Sequence, residues 1–393
     1  MKIAYAATFD VHSPETWAKR HLGLYNAAAS IVENLESEDT QVVSLGTIRR
    51  SRSIITRFKW QYYRSIRSQA FYSGVDPLLC RRCSRQTQRL LAQSNADVLL
   101  CPENAIPLAN VEPDRPMVLW TDATLGSLVD FYPYLSNLCE ETRRHLRQME
   151  QRVLDRCSLL IVNSEWAAQQ AIELYDIPRA KVEVIPRGAN KIHNLSANDV
   201  EQMVRGRDRH VCKLLFVAVE WERKGGDMAL EVARSLNQNG IQTELHVVGC
   251  SPPENSPSFV KAHGFIDRTA KTGQAKMDEL FRAAHFLMYP TRADALGMAL
   301  SEAAAFGVPA LASRIGGIPG IVKSGITGET FAVNAGWNEY CEFVIPYMKD
   351  MRRYEALAMS TFRSYQNHMG WPAVGAQARE VLRRVLSADR LTR

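Results

Sequence analysis

The stretch TRADALGMALSE (291–302) sets two carboxylates, Asp294 and Glu302, eight residues apart around a glycine turn that opens an alanine-rich helix. A helix beginning near Leu296 points the amides of Gly297, Met298 and Ala299 out of its N-terminus, an anion site by geometry and dipole. Gly297 carries no side chain to block a phosphate, and Glu302, further in, can flank a ligand lying across that end. Taken singly, each acid has a plainer reading: Asp294 as an N-cap, Glu302 as an exposed helix carboxylate. A second cluster, EWERKGGD (220–227), follows an apolar run and places Arg223 and Lys224 where parallel α/β sheets bind ligands. A diphosphate suits that pair, arginine as a planar fork and lysine as a mobile point charge; the alternative is a solvated loop. The glycine-rich GGIPGIV (316–322), one strand further on, supplies a second smooth turn for a phosphate-and-sugar pocket.

Positioning such loops takes strands. Short apolar runs occur at 2–8, 41–45, 96–101, 116–121, 158–164 and 181–186, and again at 212–219, 242–249, 258–265, 285–290, 308–313 and 328–333. Most are continuous rather than alternating, as parallel strands covered on both faces require. Helical patterns fill the gaps, among them 17–33, 140–155, 226–238 and 275–284. Strand–helix alternation over 393 residues predicts two doubly wound α/β domains. The polar stretch 186–211 separates the two strand series, and 370–390 is a helix with Val374, Ala378, Val381, Leu382 and Val385 on one face.

Several classes are excluded. The dinucleotide fingerprint needs two glycines two apart and the P-loop needs Gly-Lys; neither occurs. Asp-x-Asp and His-Glu-x-x-His are also absent. A net charge of +6 is too small to argue for nucleic acid alone. No signal-peptide pattern and no long apolar span is present, which predicts a cytoplasmic protein. The 8 cysteines lack the second pair that a zinc ribbon needs beside Cys80 and Cys83, and read as free thiols. Residues 40–75 hold no acid but carry Arg49, Arg50, Arg52, Arg57, Lys59, Arg64 and Arg67 among Phe58, Trp60, Tyr62 and Tyr63. Ile54, Phe58, Tyr62 and Ile66 recur every four residues, so a helix is predicted. It suits an anionic membrane surface or single-stranded nucleic acid, or else packs as an ordinary amphipathic helix on the N-terminal domain.

The ordered series ERKGGD, HGFID, YPTRADALGMALSEAAAFGVPALASRIGGIPGIV and SGITGETF resembles the C-terminal domain of retaining glycosyltransferases of the GT-B fold, family 4. The resemblance is carried by about residues 212–335 and, more weakly, by 162–190. It implies two Rossmann-like domains facing a cleft, with an acceptor side at 1–188, closed by a returning C-terminal helix at 371–393, and a donor domain at 189–370. The family motif Glu-x7-Glu reads Asp294-x7-Glu302 here. By resemblance Asp294 contacts the donor hexose, Glu302 the ribose and Lys224 the diphosphate, while the backbone at Phe265 and Ile266 meets the base. Four departures stand out. The first acid is one methylene short. Val219 occupies the place of the family arginine, leaving Arg223 as the substitute. The glycine pair after the first strand is replaced by FDVHSPETWAKRH (9–21). Asp122, in WTDATLGSL, stands for the usual mid-domain histidine or is simply a turn residue.

The function implied is transfer of a hexose from a UDP- or GDP-linked sugar to a glycan or lipid-linked acceptor, with retention. Same-face attack fits better than a covalent intermediate, because the first acid serves the sugar hydroxyls. Stabilisation of the leaving diphosphate by Lys224, Arg223 and the helix amides is then the main contribution, and neither metal nor cofactor is required. The alternatives are a nucleotide-sugar-binding protein without transfer and a GT-B epimerase. The expected partners are the donor, the acceptor and, through residues 47–67, the cytoplasmic face of an anionic membrane; nucleic acid is not expected.

Overall fold

A computed structural model describes residues 1–9, 22–50, 53–189 and 195–392. All twelve apolar runs form strands: β1 (Lys2–Ala7), β2 (Gln41–Thr47), β3 (Val98–Cys101), β4 (Met117–Thr121), β5 (Leu159–Val162), β6 (Val182–Val184), β7 (Cys212–Val217), β8 (Thr243–Val248), β9 (Val260–Ala262), β10 (Phe286–Tyr289), β11 (Ala310–Ser313) and β12 (Gly328–Phe331). They pair in parallel throughout, in two sheets ordered β2-β1-β3-β4-β5-β6 and β12-β11-β10-β7-β8-β9. The chain divides into two compact units, Met1–Arg187 with Trp371–Arg393, and Gly188–Gly370.

In the first unit the core strands β3, β4 and β5 are buried along their whole length, which is why their sequences do not alternate. The helices Leu22–Leu35 and Trp371–Thr392 cover one face, burying Ile31, Leu35, Val374, Ala378, Val381 and Leu382. They approach closely at Gly375, where a Cβ would lie 2.3 Å from the Asn34 carbonyl oxygen. The helix expected over 17–33 is seen from Leu22; residues 17–21 lie outside the described residues.

The second unit packs Leu214, Phe216, Phe286 and Met288 against helices on one face and Leu215, Leu287 and Tyr289 against helices on the other. The helix Gly226–Gln238 spans the predicted range. The helix expected at 275–284 begins earlier, at Lys271. Its first turn is polar and has no apolar rhythm to read; Gly273 lets the Asp267 carbonyl pack there, since a Cβ would lie 2.0 Å from that oxygen.

The basic helix forms at Ile54–Ser65, with the Ser53 hydroxyl capping the Thr56 amide at 3.1 Å. Ile54, Phe58 and Ile66 are each 71% exposed, so this stripe does not pack on its unit as the ordinary-helix reading required. The opposite side anchors instead: Lys59 and Tyr63 bind Glu141, and Tyr63 stacks on Phe71. Arg52 lies outside the described residues. Among them, no helix is long and apolar enough to cross a membrane.

Candidate active site

In the second sheet the chain runs outward from β7 to β9 and returns to the other side of β7 as β10. The crevice between β7 and β10 is therefore the topological switch point, the place where open α/β sheets bind ligands. The loops carrying the two sequence clusters follow these two strands and are stitched together there. The Arg292 amide donates to the Arg223 carbonyl at 2.8 Å, and the Arg223 guanidinium donates to the Ala293 carbonyl at 2.8 Å. Gly225, at φ 77°, has no room for a side chain: a Cβ would lie 2.0 Å from the Pro290 carbonyl oxygen. The GGIPG turn joins them through the Gly317 amide, 2.9 Å from the Ala295 carbonyl oxygen.

The helix is Met298–Ala305, two residues later than expected; it bears Glu302, and Asp294 lies in the loop before it. Its N-cap is Gly297 at φ 83°, not Asp294, because the chain must turn through the left-handed region before the helix can start. Met298 and Ala299 lie in the first turn, where helix geometry gives amides no intrahelical carbonyl; Leu296 is buried just before it. A Cβ on Gly297 would meet Leu300 and the Tyr289 ring at 2.9–3.0 Å. Conformation and packing thus demand this glycine, beyond any clearance for a phosphate.

Asp294 is buried and forms an ion pair with Lys224 from the opposite loop. Tyr289, the last residue of β10, completes the group: Lys224 Nζ donates to its hydroxyl at 2.6 Å, and that hydroxyl donates to Asp294. Burial acts to raise the Asp294 carboxyl, but the Lys224 ammonium and the Tyr289 hydroxyl outweigh it and hold it below the usual range. Burial pulls the Lys224 ammonium down. Arg223 also binds Glu220 in two hydrogen bonds of 2.9 and 3.0 Å.

Glu302 is not an exposed helix acid. It is 2% exposed, and Arg268 Nη1 lies 2.8 and 3.0 Å from its two oxygens. Arg268 follows HGFID directly, so the loop after β9 and this helix meet. On that loop Phe265 is exposed and Ile266 packs on the core under the helix. His263 stacks on His246 with ring nitrogens 3.0 Å apart, and His246 reaches Glu244 at 3.1 Å. Val219, at the expected arginine position, is exposed.

In the first unit Asp122 is more than a turn residue. It pairs with the buried Arg187 at 2.7 Å and accepts from Asn163, which in turn accepts from Trp120 Nε1 at 3.2 Å. The helix Leu125–Leu128 after it is anchored by buried Glu150, which takes the Leu125 and Gly126 amides at 2.7 and 2.8 Å. That unit's own switch point lies between β1 and β3. Glu103, after β3, accepts from the Thr8 amide at 2.9 Å and hydroxyl at 2.8 Å, and pairs with Arg50, after β2, at 2.8 Å. Residues 10–21, most of the stretch standing where the glycine pair was expected, lie outside the described residues.

Tyr289, Arg268 and Glu103 were missed by sequence reading. Arg268 was within reach of it, as the one arginine abutting a quoted motif; Tyr289 and Glu103 have no local signal. All eight cysteines are free, and burial pushes the Cys80 thiol up to about 12. Among the described residues no cluster of His, Cys, Asp and Glu is placed to hold a metal ion.

Two doubly wound parallel units with polar groups gathered at their switch points define the class of the fold, and the comparisons narrow it. Residues 28–191 match the family model Glycosyltransferase Family 4, and residues 206–361 match Glycosyl transferases group 1. The chain belongs to family 4 of the glycosyltransferases, with the GT-B fold. It is similar to the D-inositol 3-phosphate glycosyltransferase of Mycolicibacterium vanbaalenii, 27% identical over 195 residues. That match takes in 46% of this chain and 43% of the relative, less than half of either. Among solved structures, sucrose-phosphate synthase from Thermosynechococcus elongatus superposes with a TM-score of 0.65 at 16% identity, covering 98% of this chain and 99% of that one. Anabaena Alr3699/HepE in complex with UDP-glucose gives 0.60 at 16%, covering 98% and 100%.

Proposed function

We propose that this chain transfers a hexose from a UDP- or GDP-linked sugar to a hydroxyl of a glycan or lipid-linked acceptor, with retention of configuration. The observation that carries this reading is the pairing of Lys224 with Asp294 at the β7/β10 switch point, just ahead of the Gly297-capped helix that bears Glu302. Lys224 has three donors; Tyr289 and Asp294 take two, and the third serves a phosphate oxygen. Glu302, fixed by Arg268, takes the ribose hydroxyls, the Met298 and Ala299 amides face the diphosphate, and the backbone at Phe265 and Ile266 meets the base. Asp294 takes a hexose hydroxyl while its other oxygen keeps Lys224.

In the reaction the bond from the anomeric carbon to the diphosphate oxygen breaks, and the acceptor oxygen bonds to that carbon on the same face. The acceptor proton passes to the leaving diphosphate. Lys224, with Arg223 nearby, stabilises the charge that develops on that group, a contribution worth roughly 10²–10³ in rate. No step needs a metal or cofactor. Asp122, held by Arg187 and Asn163, is the polar group offered to the acceptor. Peripheral contact with an anionic membrane on its cytoplasmic face belongs to the same reading. It is supported by the exposed Ile54, Phe58, Tyr62 and Ile66 beside Arg57, Arg64 and Arg67.

The test is hydrolysis or transfer of radiolabelled UDP- and GDP-sugars by the purified chain, with thermal-shift screening to choose the donor. Saturation at about 100 times the dissociation constant adds about 2.7 kcal/mol of stability. Binding without turnover would favour the binding-protein alternative, and inverted product would overturn retention.

A further inference from the structure

Between the Lys224 ammonium and the Asp294 carboxylate stands a phenol that the transfer steps do not use. Tyr289 ends β10 and is 3% exposed, buried in the core under the helix Met298–Ala305. Its hydroxyl has one proton to give, and that proton goes to Asp294 Oδ2. Its oxygen accepts from Lys224 Nζ at 2.6 Å. Lys224 Nζ also reaches Asp294 Oδ2, so three polar atoms from the segment after β7, the end of β10 and the loop after it form a closed ring. The ammonium lies 4.7 Å from the centre of the Tyr289 ring. That ring is packed where a Cβ on Gly297 would lie 3.0 Å from it, so it has little room to swing.

The direction of each bond matters. A lysine is a point charge on a flexible stem, and an ion pair to one oxygen leaves its three donors free to turn. A second acceptor, carried on a strand in the core, fixes two of the three N–H directions and with them the third. The carboxylate is fixed in the same way. Its Oδ2 takes both the Lys224 and the Tyr289 donors, and the Leu296 amide stands 3.4 Å from Oδ1. The oxygen for a sugar hydroxyl is then Oδ1, since Oδ2 is already committed twice.

We infer that Tyr289 is a positioning residue for the transfer: its hydroxyl holds the Lys224 ammonium in line for the diphosphate and turns the Asp294 carboxylate for the hexose, acting through these two groups rather than on the donor. The inference rests on the transferase reading, to which it adds a residue of the donor site. A second consequence concerns the proton on Lys224. An oxygen that accepts from an ammonium favours its charged form, so the Tyr289 hydroxyl works against the burial that pulls Lys224 down. The charged groups around that ammonium are Asp294 and Glu220, which favour the charge, and Arg223, which opposes it.

Tyr289→Phe in the full chain tests it, because the ring stays and one oxygen goes. The rate at saturating UDP- or GDP-sugar should fall about tenfold to a hundredfold, as expected for losing a hydrogen bond to a charged group. The donor KM should stay within about threefold of the wild-type value, since the loss falls on the transfer step. The alkaline limb of the rate profile should move to lower pH, because Lys224 then gives up its proton more readily. A tyrosine that only fills space would lower the urea midpoint and leave both the rate per folded molecule and the limb in place, and that result overturns the inference. So does a rate loss with an unmoved limb, or a rise in KM alone. Competitive acetylation of Lys224 across pH, read by mass spectrometry, follows the same titration without turnover. If the wild-type chain turns over no donor, the transferase reading falls and acetylation decides the role of Tyr289: a profile moved to lower pH in Tyr289→Phe upholds its hold on the ammonium, and an identical profile removes it.

Discussion

The two switch points make a controlled comparison, because each brings a cation and a carboxylate together from loops at the carboxyl edge of a parallel sheet. At β7/β10 Lys224 and Asp294 are 13% and 10% exposed and share Tyr289. At β1/β3 the Arg50 and Glu103 side chains are 34% and 11% exposed, and Glu103 also holds Thr8. Charges removed from water interact strongly and are costly to leave alone; a pair whose cation is about a third exposed is partly screened. The drier pair is suited to stabilising a developing charge in a fixed place. The wetter one can release its arginine to a ligand at little cost.

The largest effects should therefore fall on the second unit. Lys224→Ala is expected to lower donor turnover by roughly 10²–10³, measured as initial rate at saturating donor. Asp294→Ala, which strands a buried ammonium, should cost about 3–5 kcal/mol in urea denaturation. Replacing both residues with apolar ones should recover most of that stability while turnover stays lost, since the fold then holds no lone buried charge. The matching cycle at Arg50 and Glu103 should give a coupling below about 1 kcal/mol. Equal couplings in the two units would break the comparison.

How far the sequence reveals this arrangement depends on whether a feature is local. The strands were legible because parallel strands buried on both faces must be apolar along their length. Gly297 and Gly225 were legible because turns in the left-handed region select glycine. The helix start was misplaced because an aspartate before an alanine-rich run looks like an N-cap, whereas Asp294 is turned toward Lys224, seventy residues away. Glu302 could not be recognised as buried without Arg268, and Tyr289 is indistinguishable in sequence from any aromatic residue ending a strand. The exposure of Ile54, Phe58 and Ile66 goes against the packed-helix alternative, which periodicity left open, since a four-residue repeat marks a face but not what that face meets.

An intermediate effect separates the units by pH. His285, in the second unit, is buried with Nδ1 accepting the Lys213 amide at 3.0 Å and Nε2 at 2.8 Å from the Asp208 carbonyl. Burial, helped by the nearby Arg207 charge, lowers it to about 3. It stays neutral in the fold while the unfolded chain takes up a proton below about pH 6.5. Its contribution is therefore complete above that pH and is lost as pH falls from 6.5 toward 3, at about 1.4 kcal/mol per unit. Between pH 6.5 and 5 the second unit should lose about 2 kcal/mol from this residue, and His285→Phe should flatten that slope. Hydrogen exchange followed separately in the two units reads the difference. An unchanged slope in the variant would show that other groups set the acid response.

The smallest effect compares two glycines of nearly equal φ. Gly46, in the first unit, has φ 82° and nothing within 4 Å of a Cβ; Gly297 has φ 83° and the Tyr289 ring at 3.0 Å. Alanine at either position should cost about 1–2 kcal/mol through the left-handed backbone alone. Only at Gly297 does the new methyl press on Tyr289, whose hydroxyl joins Lys224 to Asp294. Gly297→Ala should therefore lower donor turnover several-fold beyond its loss of stability, while Gly46→Ala leaves donor affinity at the wild-type value. The measurement is the ratio of turnover to folded fraction at one temperature. If both variants give the same ratio, the Tyr289 bridge does not transmit packing to the charge pair, and the rigidity ascribed to the second switch point must come from the loop hydrogen bonds at Arg223 and Arg292 instead.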